Sequence, residues 1–170
     1  METTARTEDF LEKLAAIEPV YHSEFGDVCR LYLRGGEKIL DLRSIRSVKR
    51  AITRSKGLNQ AYLRELCGEE IGRQLSLPLP LSANLILVPL KMRQPITNND
   101  SAYGFVNLRD LKRVTSAVEG GALVQLNSGH TLEILGSRDT ALIHLGEGTL
   151  LRQHFLQKVW EVSDTHWGAG

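Results

Sequence analysis

A glycine-turn hairpin that leads through a serine into a helix is written twice in this chain, roughly a hundred residues apart. The first copy runs from Arg30 through Gly35-Gly36 to Ser44 and continues as Ile45-Arg-Ser-Val-Lys-Arg-Ala-Ile52. The second runs from Ala122 through Asn127-Ser-Gly129 to Ser137 and continues as Arg138-Asp-Thr-Ala-Leu-Ile-His-Leu145. In each, alternating apolar residues predict two strands, and the serine opens a segment whose apolar residues recur at helical spacing. Two uses fit such a doublet. Either the units simply pack on one core, or their serine junctions, each carrying an arginine, present cations to a phosphate backbone.

Around the doublet the pattern alternates between helix and strand. Phe10, Leu11, Leu14 and Ile17 share one helical face over Thr7 to Ile17, with Glu8, Asp9 and Glu12 suited to the positive end of the helix dipole. Pro19 closes that segment, and Tyr21 to Phe25 reads as a strand. After the first hairpin, Ser44 to Lys56 is helical, with Ile45, Val48 and Ile52 inward and Arg46, Lys49, Arg50 and Thr53 opposite. Gly57 separates it from a second helix over Leu58 to Arg73, where Tyr62, Leu66 and Ile71 are among the apolar positions. Ser76-Leu-Pro-Leu-Pro-Leu-Ser82 alternates proline with leucine, which favours an extended connector.

Beyond it, Asn84 to Leu90 reads as an apolar strand, Lys91 to Asp100 as a polar loop, and Tyr103 to Asn107 as a strand. Leu108 to Val114 reads as a short turn or helix. The second hairpin spans Ala122 to Leu135, and a helix follows from Ser137 with a weak point at Gly146-Glu-Gly148. It resumes from Thr149 to Val162, with Leu150, Leu151, Phe155, Val159 and Val162 on one side, and frays after Ser163. The expected fold is therefore α+β, mainly antiparallel, with two related hairpin–helix units and a C-terminal helix. Its division is residues 1–75, a connector over 76–83, and a second half over 84–170.

Catalytic patterns are missing. There is no phosphate-binding glycine motif, no GxSxG elbow, no HExxH and no CxxC. Cys29 and Cys67 read as small buried hydrophobes on a strand and a helix. His144 and His154 lie in one helical region without metal-ligand spacing. The chain is therefore expected to be neither an enzyme nor a cofactor or metal carrier. No apolar run has the length of a membrane span and no signal-peptide pattern opens the chain, so the expected compartment is the cytoplasm.

Net charge is only +1, so a nucleic-acid footprint would have to arise from local clustering. Such a cluster exists. Arg43, Arg46, Lys49, Arg50, Arg54 and Lys56 are six cations in a window without one acid. Each phosphate contact they make would release condensed counterions. Arginine and asparagine also suit base edges, which makes Lys91, Arg93, Asn98 and Asn99 in the loop, and Ser137-Arg138 at the second junction, candidate groove contacts. The alternatives are a solvated basic face balanced by the acidic N-terminal segment, and a non-catalytic β-rich module that binds a protein or ligand. An apolar stripe on the C-terminal helix, including Trp160, would favour the module.

Two resemblances sharpen this. Tyr103-Gly-Phe-Val-Asn-Leu108, the short segment after it, and Leu123 to Arg138 resemble the LytTR DNA-binding domain, with Asn107, Gly129, Ser137 and Arg138 at matching positions. Where LytTR proteins carry a His- or Arg-rich element, this chain has Asn98-Asn-Asp-Ser-Ala102. Over Glu37 to Phe155, the order Asp41-Leu-Arg-Ser44, Cys67-Gly68, Gly72-Arg73, Leu85-Ile-Leu-Val-Pro89, a loop with Pro95, Val106-Asn-Leu108 and the second hairpin resembles the ComK competence transcription factors. That resemblance implies a bacterial transcription regulator that binds double-stranded, AT-rich DNA as a homo-oligomer. ComK-like proteins approach the minor groove and LytTR domains the major groove, and the residues leave both open.

Overall fold

The computed structural model describes residues 5–157 in full, with the backbone of Glu2–Thr3 and of the last helix as far as Trp167. The fold is α+β with mainly antiparallel strands. In chain order it contains β1 (Glu2–Thr3), α1 (Thr7–Phe10), β2 (Leu14–His22), β3 (Gly26–Leu33), β4 (Lys38–Asp41), α2 (Ile45–Ser55) and α3 (Gln60–Ile71). Then come β5 (Leu79–Ser82), β6 (Leu85–Lys91), β7 (Tyr103–Asn107), β8 (Leu111–Ser116), β9 (Ala122–Leu126), β10 (Thr131–Ile134) and α4 (Arg138–Trp167). Seven strands form one sheet in the order β1-β4-β3-β2-β7-β6-β5, and β10-β9-β8 form a second.

The large sheet is covered on both faces. Because strand side chains alternate, Leu85 and Leu87 of β6 join Ile17, Leu31 and the inward residues of α2 in one core. Ile86, Val88 and Leu90 join Ala16, Tyr32, the second sheet and Ala141 and Leu145 of α4 in the other. A strand buried on both faces reads as an unbroken apolar run, which is what Leu85 to Val88 is. Glycines permit two close approaches. A Cβ on Gly148 would lie 2.7 Å from Val88 Cγ2, and one on Gly104 would lie 2.5 Å from the Ile17 carbonyl and overlap Met92.

The repeat reaches further back than the hairpins. Leu11–Lys13 and Leu108–Asp110 are single 3-10 turns, each leading into a strand, a second strand, the glycine turn and a third strand. From the turn onward equivalent positions are 93 apart: Leu33 and Leu126, Gly36 and Gly129, Ser44 and Ser137. Gly36 N donates to Leu33 O and Leu33 N to Glu37 O, and the same two bonds join Gly129, Leu126 and His130. Gly36 and Gly129 sit at φ 96° and 94°, where a side chain would be strained. Arg34 donates to Glu12 O and Asn127 to Arg109 O, so each turn is tied to the 3-10 turn of its own unit. The serines then cap their helices, Ser44 accepting from Ser47 N and Ser137 from Thr140 N.

Several local expectations change. Helix covers only Thr7–Phe10, and Leu14 to Ile17 belong to β2, where a bulge near Ala15 turns Ala15 and Ala16 toward the second core. Pro19 lies inside β2, but pairing with β7 ends at Ile17, so the missing N–H falls where β2 has one neighbour. Phe25 is in a turn. Thr53 is buried and bonds Lys49 O. In α3, Leu63 and Cys67 face the core while Tyr62 is exposed. The connector contributes β5, at the edge of the large sheet. Leu108 to Val114 is a turn followed by a strand, and α4 runs unbroken through Gly146 and Gly148 to Trp167. Leu150 is exposed and Leu151 buried, so they do not share a side. The side chains of Val159, Trp160 and Val162 and all of residues 168–170 lie outside the described residues. Cys29 and Cys67 are free and buried, and burial pushes the Cys67 thiol up to about 11.

Where α3 meets α4, Arg73 holds Glu147 at 2.9 Å and lies 3.4 Å from His144 Nδ1. Burial holds the imidazole of His144 below its ordinary value; Glu147 pulls it up and Arg73 pushes it down. The folded protein thus binds this proton more weakly than the unfolded chain. The stability it preserves is full above the ordinary value of 6.5 and is lost as pH falls below it. In urea unfolding between about pH 7 and 5, His144→Asn is expected to lose less stability than the parent chain; equal losses would place the acid sensitivity elsewhere.

Candidate functional site

Four cations without a carboxylate partner among the described residues line a groove between α2 and α3. Burial of Ile45, Val48 and Ile52 against the sheet leaves Arg46, Lys49 and Arg50 on the flank of α2 that faces α3. From the other side α3 contributes Gln60, Ala61 and Arg64. The floor is Pro89 of β6 with Tyr103 and Phe105 of β7, the rim is Gln74, Ser76 and Leu77, and Pro78 and Leu79 complete the lining as buried residues. The groove has a volume of about 590 Å³, and no Asp or Glu lines it.

Lys49 is the deepest of these cations. Its Nζ sits 5.2 Å from the centre of the Phe105 ring, so the π face is its nearest compensation. Burial, then Arg64, then Arg46 hold its ammonium below the ordinary lysine value. Among the described residues Arg46 reaches only a backbone oxygen, that of Asn99, at 3.4 Å. Arg50 and Arg64 are exposed and, among the described residues, have no hydrogen-bond or ion-pair partner.

Other cations of the same window are already engaged. Arg43 makes a two-pronged bond to Asp41, 3.0 and 2.7 Å, and a third to Ala5 O; Asp41 is fully buried, so this pair fixes the entry to α2. Lys56 pairs with Glu12 at 3.1 Å. Arg54 is exposed at the end of α2, outside the groove, where its charge suits the helix dipole.

The loop candidates divide in the same way. Arg93 Nη2 meets Asp27 at 2.6 Å, its Nε donates to Ser101 O, and its guanidinium stacks 4.0 Å above Tyr21. Tyr21 OH donates to Asp100 at 2.7 Å, which lowers the carboxyl of Asp100. Arg93 and Asp100 therefore build the loop, and Arg93 is not presented to a ligand. Asn98 and Asn99 are exposed on that loop and Lys91 is half-buried at the end of β6. Ser137 caps α4, and Arg138 donates to Val114 O. These two are not brought to the groove, because α4 packs on the opposite face of the large sheet from α2.

Arg64 is the site residue that sequence reasoning misses. Its signal is the spacing of Leu63 and Cys67: with those inward, Gln60 and Arg64 flank them one turn apart. Among the described residues no group of three or more His, Cys, Asp or Glu could hold a metal, and no helix is long and apolar enough to cross a membrane. Compared with known proteins, the chain matches no family model, no curated protein and no solved structure at a significant level.

The division between building and unpaired cations is testable at Arg93. Its side chain is 10% exposed, and removing it leaves Asp27 without its ion-pair partner. Arg93→Met is expected to lower stability by about 1–3 kcal/mol in urea unfolding. A variant as stable as the parent would show the pair to be dispensable.

Proposed function

We propose that this protein is a ComK-like transcription regulator that grips double-stranded, AT-rich DNA through the groove between α2 and α3. One observation carries the proposal: Arg46, Lys49, Arg50 and Arg64 surround a concave surface with no acid in its lining. By contrast Arg30, Arg34, Arg43, Lys56, Arg73 and Arg93 are each neutralised by a carboxylate. Guanidinium forks match phosphate oxygens two at a time, and the exposed Asn99, whose backbone meets Arg46, and its neighbour Asn98 can bond base edges. Arg43, Lys56, Arg93 and Arg138 have structural partners and are not part of this surface.

The test is affinity for AT-rich and mixed-sequence duplexes across a salt series. Replacing Arg46, Arg50 and Arg64 together with alanine is expected to flatten the slope of log K against log salt by about 0.9 for every phosphate no longer neutralised. An unchanged slope would remove the groove from the interface.

A second reading, that the chain is a protein-binding module, is favoured by α4. Leu142, Ile143 and Leu150 are 41, 62 and 49% exposed on its outer side. Adjacent Leu142 and Ile143, with Leu150 two turns on, form an apolar patch suited to another chain, and a second copy would make the regulator an oligomer. Ile143→Glu is expected to lower the mass seen by sedimentation equilibrium, and a mass equal to the parent's would exclude this patch as the interface between copies.

A further inference from the structure

We propose that the groove between α2 and α3 is also a binding site for a small phosphorylated ligand with a flat apolar body, of the nucleotide class, and that this ligand and DNA exclude one another. The inference builds on the groove as a phosphate site, but it can stand or fall separately from the DNA reading.

Size is the first ground. A phosphate backbone needs only an exposed cationic surface, whereas this groove is a recess of about 590 Å³, in the range that encloses small ligands. Charge is the second. Lys49 is drawn into the recess beside Arg46 and Arg64, and the lining offers no carboxylate to any of them. Like charges around a half-desolvated ammonium are unfavourable until an anion joins them, and a phosphate does so with hydrogen bonds to both guanidinium groups. The first turn of α3, at Gln60 and Ala61, opens onto the same space and adds the partial positive charge of a 12-residue helix.

The walls are the third ground. In the same lining Tyr103 is half-buried, and its ring offers a flat surface against which a base can lie. The amide of Gln74 and the hydroxyl of Ser76 supply donors and acceptors at the rim, as a sugar or base edge requires. An inorganic anion would use the cationic half of the recess alone. A nucleotide uses both halves.

Isothermal titration with ATP, pyrophosphate and adenosine, each without added metal, decides the matter, followed by ATP competition against a labelled duplex. ATP is expected to saturate the protein below about 1 mM, pyrophosphate to bind about tenfold more weakly, and adenosine not to bind measurably. Arg64→Ala, an exposed position whose loss leaves both cores intact, is expected to weaken ATP about tenfold. No saturable ATP binding, or binding that Arg64→Ala leaves unchanged, overturns the site. Pyrophosphate as tight as ATP overturns the nucleotide class, and DNA binding undiminished by saturating ATP overturns the mutual exclusion. If ATP binds as expected and no duplex binds at any salt concentration, the site stands, and the DNA reading and the mutual exclusion fall together.

Discussion

The short antiparallel seam between β2 and β7 is what the remainder of the molecule depends on. Only Ala16↔Val106 and Ile17↔Phe105 pair there, yet the seam joins the first 75 residues to everything after the connector. Side chains reinforce it. Asn107 Nδ2 donates to Leu14 O and Asn84 O, and Arg34 grips the buried Asp110 with two bonds of 2.7 and 3.0 Å. A glycine at 104 lets the strands approach without displacing Met92. The groove exists because of this alignment: its cations come from α2 and α3, and its aromatic floor comes from β7. The two halves divide the sequence but share one sheet.

Charge is partitioned with the same division of roles. A chain of nearly balanced charge produces a one-signed recess by keeping every Asp and Glu out of its lining. Glu18, Asp27, Asp41, Asp110 and Glu147 each hold an arginine on strands, turns or the α3–α4 contact. What remains around the groove is a set of cations without a carboxylate, and burial, then Arg64 and Arg46, hold the Lys49 ammonium below the ordinary lysine value. Ion pairs that include a buried carboxylate are not strong sources of net stability, but they remove a cation from any role at the surface.

Much of this is legible in the residues, and the exceptions share one cause. The stripe of Ile45, Val48 and Ile52, the two serine caps and the two glycine turns are local devices, and each forms where its spacing places it. Leu14 and Ile17 fit a helical face as well as a strand, and their neighbours in β3 and β7 decide for the strand. In α3 the inward face is chosen by the sheet beneath it, so periodicity alone offers Tyr62 as a core position and passes over Arg64. Arg93 resembles a groove contact in the sequence because its partner Asp27 lies 66 residues away, beyond any local pattern. The Asn107 of the recognisable Val-Asn-Leu stretch stitches backbone together inside the core, 1% exposed, a motif position given over to architecture.

The 93-residue register between the two units has a consequence for how surface chemistry is inherited. Moving Arg46, Lys49 and Arg50 along the register arrives at Asp139, Leu142 and Ile143, so the flank that is basic on α2 is acidic and apolar on α4. The turn bonds and the capping serine are the same in both units whatever the outward side chains are. Frame and face are thus independent characters of this unit. A single chain can present two unlike surfaces on opposite sides of one sheet without altering the scaffold that carries either.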